Sequence, residues 1–142
     1  MSRAEIEAAI PHRPPMLLID EIVEQSENRI VCRKSFRAEE FFFQGHYPDY
    51  ALVPGVILLE AAMQAGAILV SHVPLDGGVP VATRINDVKF KKMIRPGDTV
   101  QLEVALNERL GDAFFMSAKV TCEGKTTTTF TFAVTAAKQP QG

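Results

Sequence analysis

Between Pro54 and about His72, the residues Val56, Ile57, Leu58, Leu59, Ala61, Ala62, Met63, Ala65, Ala67, Ile68, Leu69 and Val70 leave no polar stripe. No other feature of the sequence constrains the fold so strongly. A proline suits the first position of a helix, so the stretch reads as a helix beginning at Pro54. A helix that is apolar on every side must be enclosed on nearly every side. Glu60 and Gln64 interrupt the run, and it falls short of the ~20 residues a membrane span requires. The enclosure must therefore come from the rest of the chain. Residues 29 to 36 read as a strand. From Thr99 the sequence alternates, with Val100, Leu102, Val104 and Leu106 on one face and Thr99, Gln101 and Glu103 on the other. Phe114, Met116, Ala118 and Val120 repeat the alternation, and a turn at Glu123-Gly124 leads to Phe130, Phe132 and Val134. The β-branched run Thr126 to Thr129 fits a strand rather than a disordered tract. The order is strands, helix, strands, which predicts an α+β architecture: a curved antiparallel sheet wrapped around one long central helix. One helix face would stay open, favouring burial against a second copy.

With 142 residues and no internal linker, the chain is expected to form one domain over residues 1–142. A net charge of -2 offers no basic surplus for a phosphate backbone, so nucleic acid is not an expected partner. Cys32 and Cys122 belong to no C-x-x-C or Cys/His pattern. Neither a disulfide framework nor a metal site is expected, and no cofactor is implied. Met1 to Ile10 has no apolar core behind a basic start and carries Glu5 and Glu7, unlike a secretory signal. The expected location is the cytoplasm.

Three features suggest chemistry. Glu60 and Gln64 stand at i, i+4 and share a helix face. A carboxylate in apolar surroundings is costly unless it is hydrogen-bonded or protonated, and protonation is what a general acid needs. The structural alternative is a glutamate satisfied by backbone groups. At the helix start, Val53 has no capping side chain, so the N–H groups of Gly55 and Val56 are available to an oxygen gaining negative charge. Water or a turn could satisfy the same donors. His46, in Gln44-Gly45-His46-Tyr47-Pro48 just ahead of the helix, is the only central histidine and can serve as a base near neutral pH. His12, in Pro11-His12-Arg13-Pro14, and His72, in the last expected helical turn, read as structural or surface residues.

The segments Phe42-Phe43-Gln44-Gly45-His46-Tyr47-Pro48, Leu52-Val53-Pro54-Gly55-Val56 and Leu59-Glu60-Ala61-Ala62-Met63-Gln64 together resemble the FabZ-type 3-hydroxyacyl-[acyl carrier protein] dehydratases. Ile10-Pro11-His12-Arg13-Pro14-Pro15, Leu17-Leu18-Ile19-Asp20, Val88-Lys89-Phe90-Lys91-Lys92 and Arg95-Pro96-Gly97-Asp98 extend the resemblance over most of the chain. It implies the hot-dog fold and elimination of water from a 3-hydroxyacyl thioester to give the trans-2-enoyl product in fatty-acid synthesis. It also implies that His46 takes the C2 proton and Glu60 helps the C3 hydroxyl leave. Gly55, Val56 and Gln64 are the expected substrate-contacting residues. The expected assembly is a homodimer with shared sites, with a trimer of dimers as a larger form. Glu rather than Asp at the acid position resembles the FabZ branch more than the isomerising FabA branch.

Three positions depart from the family pattern: Tyr47 where Phe is common, Asp49 where Gly is common, and Ala51 where Pro is common. Asn107 to Leu110 lacks the basic run often found there, so Lys89, Lys91, Lys92 and Arg95 are the candidate docking charges for an acidic carrier protein, against the alternative of a solvated face. Two rival readings remain: a hot-dog hydratase or dehydratase acting on coenzyme A or specialised acyl thioesters, and a non-catalytic acyl-binding protein of the same fold.

Overall fold

A computed structural model describes residues 3–46, 49–73 and 78–138. It contains α1 (Arg3–Ala9), β1 (Glu21–Gln25), β2 (Arg29–Ser35), a 3-10 turn (Phe41–Phe43), α2 (Gly55–Leu69), β3 (Gly78–Phe90), β4 (Thr99–Leu110), β5 (Ala113–Cys122) and β6 (Lys125–Lys138). The six strands form one antiparallel sheet in the order β1-β2-β4-β5-β6-β3.

The alternation read from the sequence is the alternation of the sheet. Cys32 pairs with Leu102, Leu102 with Val120 and Val120 with Thr128, and the next row runs Ile30, Val104, Ala118, Phe130. All eight are buried, so each row is one layer of the core beneath α2. The β5–β6 connection is the expected two-residue turn, with Glu123 at φ 51° and Gly124 at φ 77°. Both central residues of a type I′ turn need positive φ, and this turn's twist matches that of the strands it joins.

α2 contacts β2, β3, β4, β5 and β6. Strands lie about 4.8 Å apart and a helix with its side chains is about 10 Å wide, so a single helix touches five strands only if the sheet curls around it. Small residues bring the layers close. A Cβ on Gly66 would stand 2.8 Å from Phe132 Cζ and 3.0 Å from Met116 Sδ, both core side chains.

Two boundaries differ from the sequence reading. Pro54 is the N-cap, with extended φ -57° and ψ 137°, rather than the first helical residue. The helix ends at Leu69, before His72: the Ser71 N–H donates to Ile68 O at 3.1 Å and its hydroxyl to the same oxygen at 2.7 Å, which tightens and closes the last turn. His72 is therefore outside the helix and exposed. The short α1 and β1 were not anticipated.

Val56 is exposed and Glu60 and Met63 are partly exposed, while Ala61, Ala62 and Ala65 are fully buried. The first three fall at i, i+4 and i+7, so the open face of α2 is one stripe with the acid at its centre. Beside it runs the edge strand β3, exposed from Val81 to Phe90 and carrying two register irregularities around Ala82/Arg84 and Asn86/Lys89.

Close packing at Gly66 gives a direct test. Gly66→Ala should lower stability by about 1–3 kcal/mol, the usual cost of overpacking, despite the better helix propensity of alanine. The midpoint of urea unfolding measures it, and an unchanged midpoint would mean that Phe132 and Met116 move aside freely.

Candidate active site

The loop carrying His46 is fixed before it begins. Lys34 on β2, only 5% exposed, ion-pairs with Glu40, whose second oxygen accepts the Arg37 N–H at 2.8 Å. Phe42 and Phe43 then insert into the core, with the Phe42 ring 5.9 Å from Phe36 and 4.8 Å from Phe43. Three residues later, His46 Nδ1 lies 3.0 Å from Leu52 O. A carbonyl only accepts, so the hydrogen is on Nδ1 and the basic lone pair is on Nε2. The orienting group is thus a backbone carbonyl, which no residue pattern could reveal. Tyr47 and Pro48 lie outside the described residues. Asp49 is exposed and Ala51 is partly buried against the core.

His46, Leu52, Val53, Gly55, Leu58, Phe90, Lys92, Met93 and Ile94 line one apolar-walled cavity of about 250 Å³. The start of α2 has no side-chain cap, as expected. Ile57 N–H bonds Pro54 O at 2.9 Å, and among the described residues no group accepts from the N–H groups of Gly55 or Val56 ahead of it. The absence of a side chain on Gly55 also lets Phe90 lie against the helix start, 2.7 Å from where a Cβ would be.

Glu60 opens into a different cavity, lined by His12, Met63, Gln64, Ala67, Pro80, Ala82 and Val134. Its side chain is 30% exposed rather than enclosed, because it lies on the open stripe of α2. Gln64, expected against substrate, is engaged by protein groups. Its amide nitrogen donates to Met16 O and to Glu60 Oε2, each at 2.8 Å, and its oxygen accepts the Leu18 N–H at 2.8 Å. With both N–H bonds and its oxygen committed to protein groups, the 1%-exposed amide clamps the segment after α1 to the helix and fixes one carboxylate oxygen. His12, read as structural or surface, stands with Nε2 3.5 Å from Glu60 Oε2. Nothing in the sequence signals that approach.

Lys92 borders the His46 cavity, while Lys89 and Lys91 are exposed nearby. Arg95 stacks on Tyr50 at 4.6 Å, from a turn whose Gly97 has φ 95° and whose Asp98 carboxylate accepts the Arg95 N–H at 2.9 Å. Burial pushes the Cys32 thiol up to about 12, so it stays protonated and is no nucleophile. No group of metal-ligating side chains occurs among the described residues.

The family model of ApeI-like dehydratases matches residues 22–133. The 3-hydroxyacyl-[acyl-carrier-protein] dehydratase FabZ of Clostridium perfringens strain SM101 is 43% identical over 126 residues, 88% of this chain and 91% of that protein. FabZ of Staphylococcus carnosus is 42% identical over 123 residues, 85% of each chain. Among solved structures, the dehydratase heterocomplex ApeI:P from Xenorhabdus doucetiae is similar with a TM-score of 0.81 at 15% identity, over 94% of this chain and 91% of that one. The E. coli PaaI protein from the phenylacetic acid degradation operon is similar at 0.65 and 18% identity, over 81% of each chain. At such identities the structural likeness concerns the fold alone, the hot-dog arrangement of sheet and helix.

The Gln64 clamp predicts a stability cost. Gln64→Leu fills the space but leaves the buried Leu18 N–H without its acceptor, which should destabilise the protein by about 1–3 kcal/mol. Chemical denaturation of the two proteins compares them, and equal stability would show that the amide is dispensable to the fold.

Proposed function

The chain belongs to the FabZ-type 3-hydroxyacyl-[acyl-carrier-protein] dehydratases and matches the ApeI-like dehydratase family, and on that premise we propose that His46 and Glu60 act as base and acid across the boundary between two subunits. The enzyme dehydrates 3-hydroxyacyl-[acyl carrier protein] to the trans-2-enoyl thioester in fatty-acid biosynthesis. His46 Nε2 takes a proton from C2 while charge builds on the thioester carbonyl, and the N–H groups of Gly55 and Val56 receive that charge. Protonated Glu60 gives its proton to the C3 hydroxyl as the C3–O bond breaks, and water leaves. The reaction as written uses no metal or organic cofactor. Residues 1–142 act as one domain in the cytoplasm, and no helix among the described residues is long and apolar enough to cross a membrane.

One observation carries the shared-site reading: among the described residues, His46 and Glu60 line two separate cavities. Both cavities nevertheless touch β3 or the residues just after it, Glu60's at Pro80 and Ala82 and His46's at Phe90. From Ala82 to Phe90 is roughly 26 Å along a strand. If two copies of this exposed edge pair antiparallel about a two-fold axis at Asn86, residue 82 of one meets residue 90 of the other. The acid cavity of each subunit then abuts the base cavity of its partner, and the open stripe Val56, Glu60, Met63 is covered. A homodimer follows, with a trimer of dimers as the larger assembly. The departures from the family pattern at Tyr47, Asp49 and Ala51 support a second reading, in which the chain acts on a coenzyme A or specialised acyl thioester outside bulk fatty-acid synthesis. Parallel assays on carrier-bound and coenzyme A thioesters separate the two.

Beside the His46 cavity, exposed Tyr50 and Met93 border the cations Lys89, Lys91, Lys92 and Arg95. An apolar patch rimmed by positive charge suits an acidic carrier protein. Raising salt should therefore raise KM for carrier-bound substrate more than for a short coenzyme A thioester. Equal salt dependence would leave these charges as an ordinary solvated face.

His46→Ala and Glu60→Gln should each fold and lose at least about 10²-fold in turnover, the scale of a positioned acid or base. Unfolded together and refolded, they make about half the dimers mixed, each with one intact site of two, so roughly a quarter of wild-type activity should return. Mixed dimers recovered by tag pull-down yet inactive would reject the shared site, and near-normal turnover in either single variant would reject that residue's role.

A further inference from the structure

We propose that His12 is a positioning residue for the acid: its imidazole Nε2, together with the Gln64 amide, holds Glu60 Oε2 and leaves Oε1 as the oxygen that carries the reacting proton. This rests on the assignment of Glu60 as the acid made above.

His12 is held in place by its neighbours. The Arg13 guanidinium donates to Ile10 O and His12 O, each at 2.8 Å, and to Glu7 O at 2.9 Å, and its Nε lies 3.2 Å from the Glu7 carboxylate. Leu17 N–H returns to Arg13 O at 3.1 Å, and Gln64 fastens Met16 and Leu18 to α2. The loop from Ile10 to Leu18 is thus tied to α1 at one end and to the active-site helix at the other. His12 points into the cavity it shares with Glu60 and Gln64. Its Nε2 lies 3.5 Å from Glu60 Oε2, at the outer limit of a hydrogen bond.

The other ring nitrogen identifies the tautomer. His12 Nδ1 is buried and has no hydrogen-bond partner among the described residues. A buried N–H without an acceptor is the rarer and costlier arrangement, so the hydrogen belongs on Nε2, facing the carboxylate. Oε2 then accepts the Gln64 N–H at 2.8 Å and has the His12 Nε2–H as a longer polar contact at 3.5 Å.

This arrangement suits the step Glu60 performs. When Oε1–H passes its proton to the C3 hydroxyl, the C3–O bond breaks with its electron pair, water departs and Glu60 becomes a carboxylate. Its new negative charge meets the Gln64 N–H bonded to Oε2 and the His12 N–H 3.5 Å from it, which together stabilise the product form of the acid and keep the carboxyl from rotating. His46 holds the C2 proton meanwhile, and exchange of one proton through solvent restores both groups.

A double-mutant cycle on the full-length enzyme tests this, using a 3-hydroxybutyryl thioester on carrier protein. His12→Ala, and His12→Phe, which fills the same space should the alanine variant unfold, should lower kcat about tenfold, within the range for coupled residues of one network. KM should stay unchanged. His12→Gln, which keeps an N–H donor, should remain within about threefold of wild type. In the Glu60→Gln background the donor-less variants should cost nothing more. If they lower kcat equally in both backgrounds, or if the donor-keeping variant is as slow as the others, His12 supports the fold rather than the acid. Wild-type kcat in His12→Ala overturns the proposal directly. Full activity of Glu60→Gln alone would instead remove the acid assignment, and the proposal with it.

Discussion

Enclosing α2 is the requirement on which the rest of the structure depends. Its residues Leu58, Leu59, Ala61, Ala62, Ala65, Ile68 and Leu69 are all buried, and no flat sheet reaches that much of a helix circumference. The sheet curls instead, with rows such as Ile30, Val104, Ala118 and Phe130 laid across it. Burial of each large aliphatic side chain is worth about 1.5–3 kcal/mol. Alanines and Gly66 keep the helix slim where the strands come closest, so curvature and helix composition are two sides of one packing solution.

That solution stops short of closure. The strand β3 ends the sheet as an edge, and one stripe of α2 remains uncovered. Glu60 lies on this stripe. A carboxylate there avoids the desolvation cost of the core, yet becomes enclosed when another surface covers the edge. The incomplete wrap leaves one face of the helix open for another surface to cover.

Polar groups inside the fold do structural and chemical work at once. Gln64 lies within an otherwise apolar helix because three protein groups satisfy it, and one of those groups is the Glu60 carboxylate. The His46 imidazole is oriented in a comparable way by the carbonyl of Leu52. Both side chains are held by backbone groups or a backbone-anchored neighbour, and a change in loop packing would reach them through these contacts.

The sequence by itself determined the elements with strong periodicity or turn chemistry. The unbroken apolar run specified the helix, alternation specified β4 and β5, and Glu123-Gly124 specified the hairpin between β5 and β6, because each signal is local and survives without tertiary contacts. The isolated glutamate and the loop histidine stood out in the sequence as candidates by their surroundings. Tertiary structure decided the rest. β3 has no clean alternation, since as an edge strand it is not buried on one face in the single chain. The helix boundaries depended on the backbone of Pro54 and Ser71 rather than on residue type alone. The roles of Gln64 and His12 arose only when the loop between α1 and β1 folded back over α2, because hydrogen bonds between distant segments leave no periodic trace in a sequence.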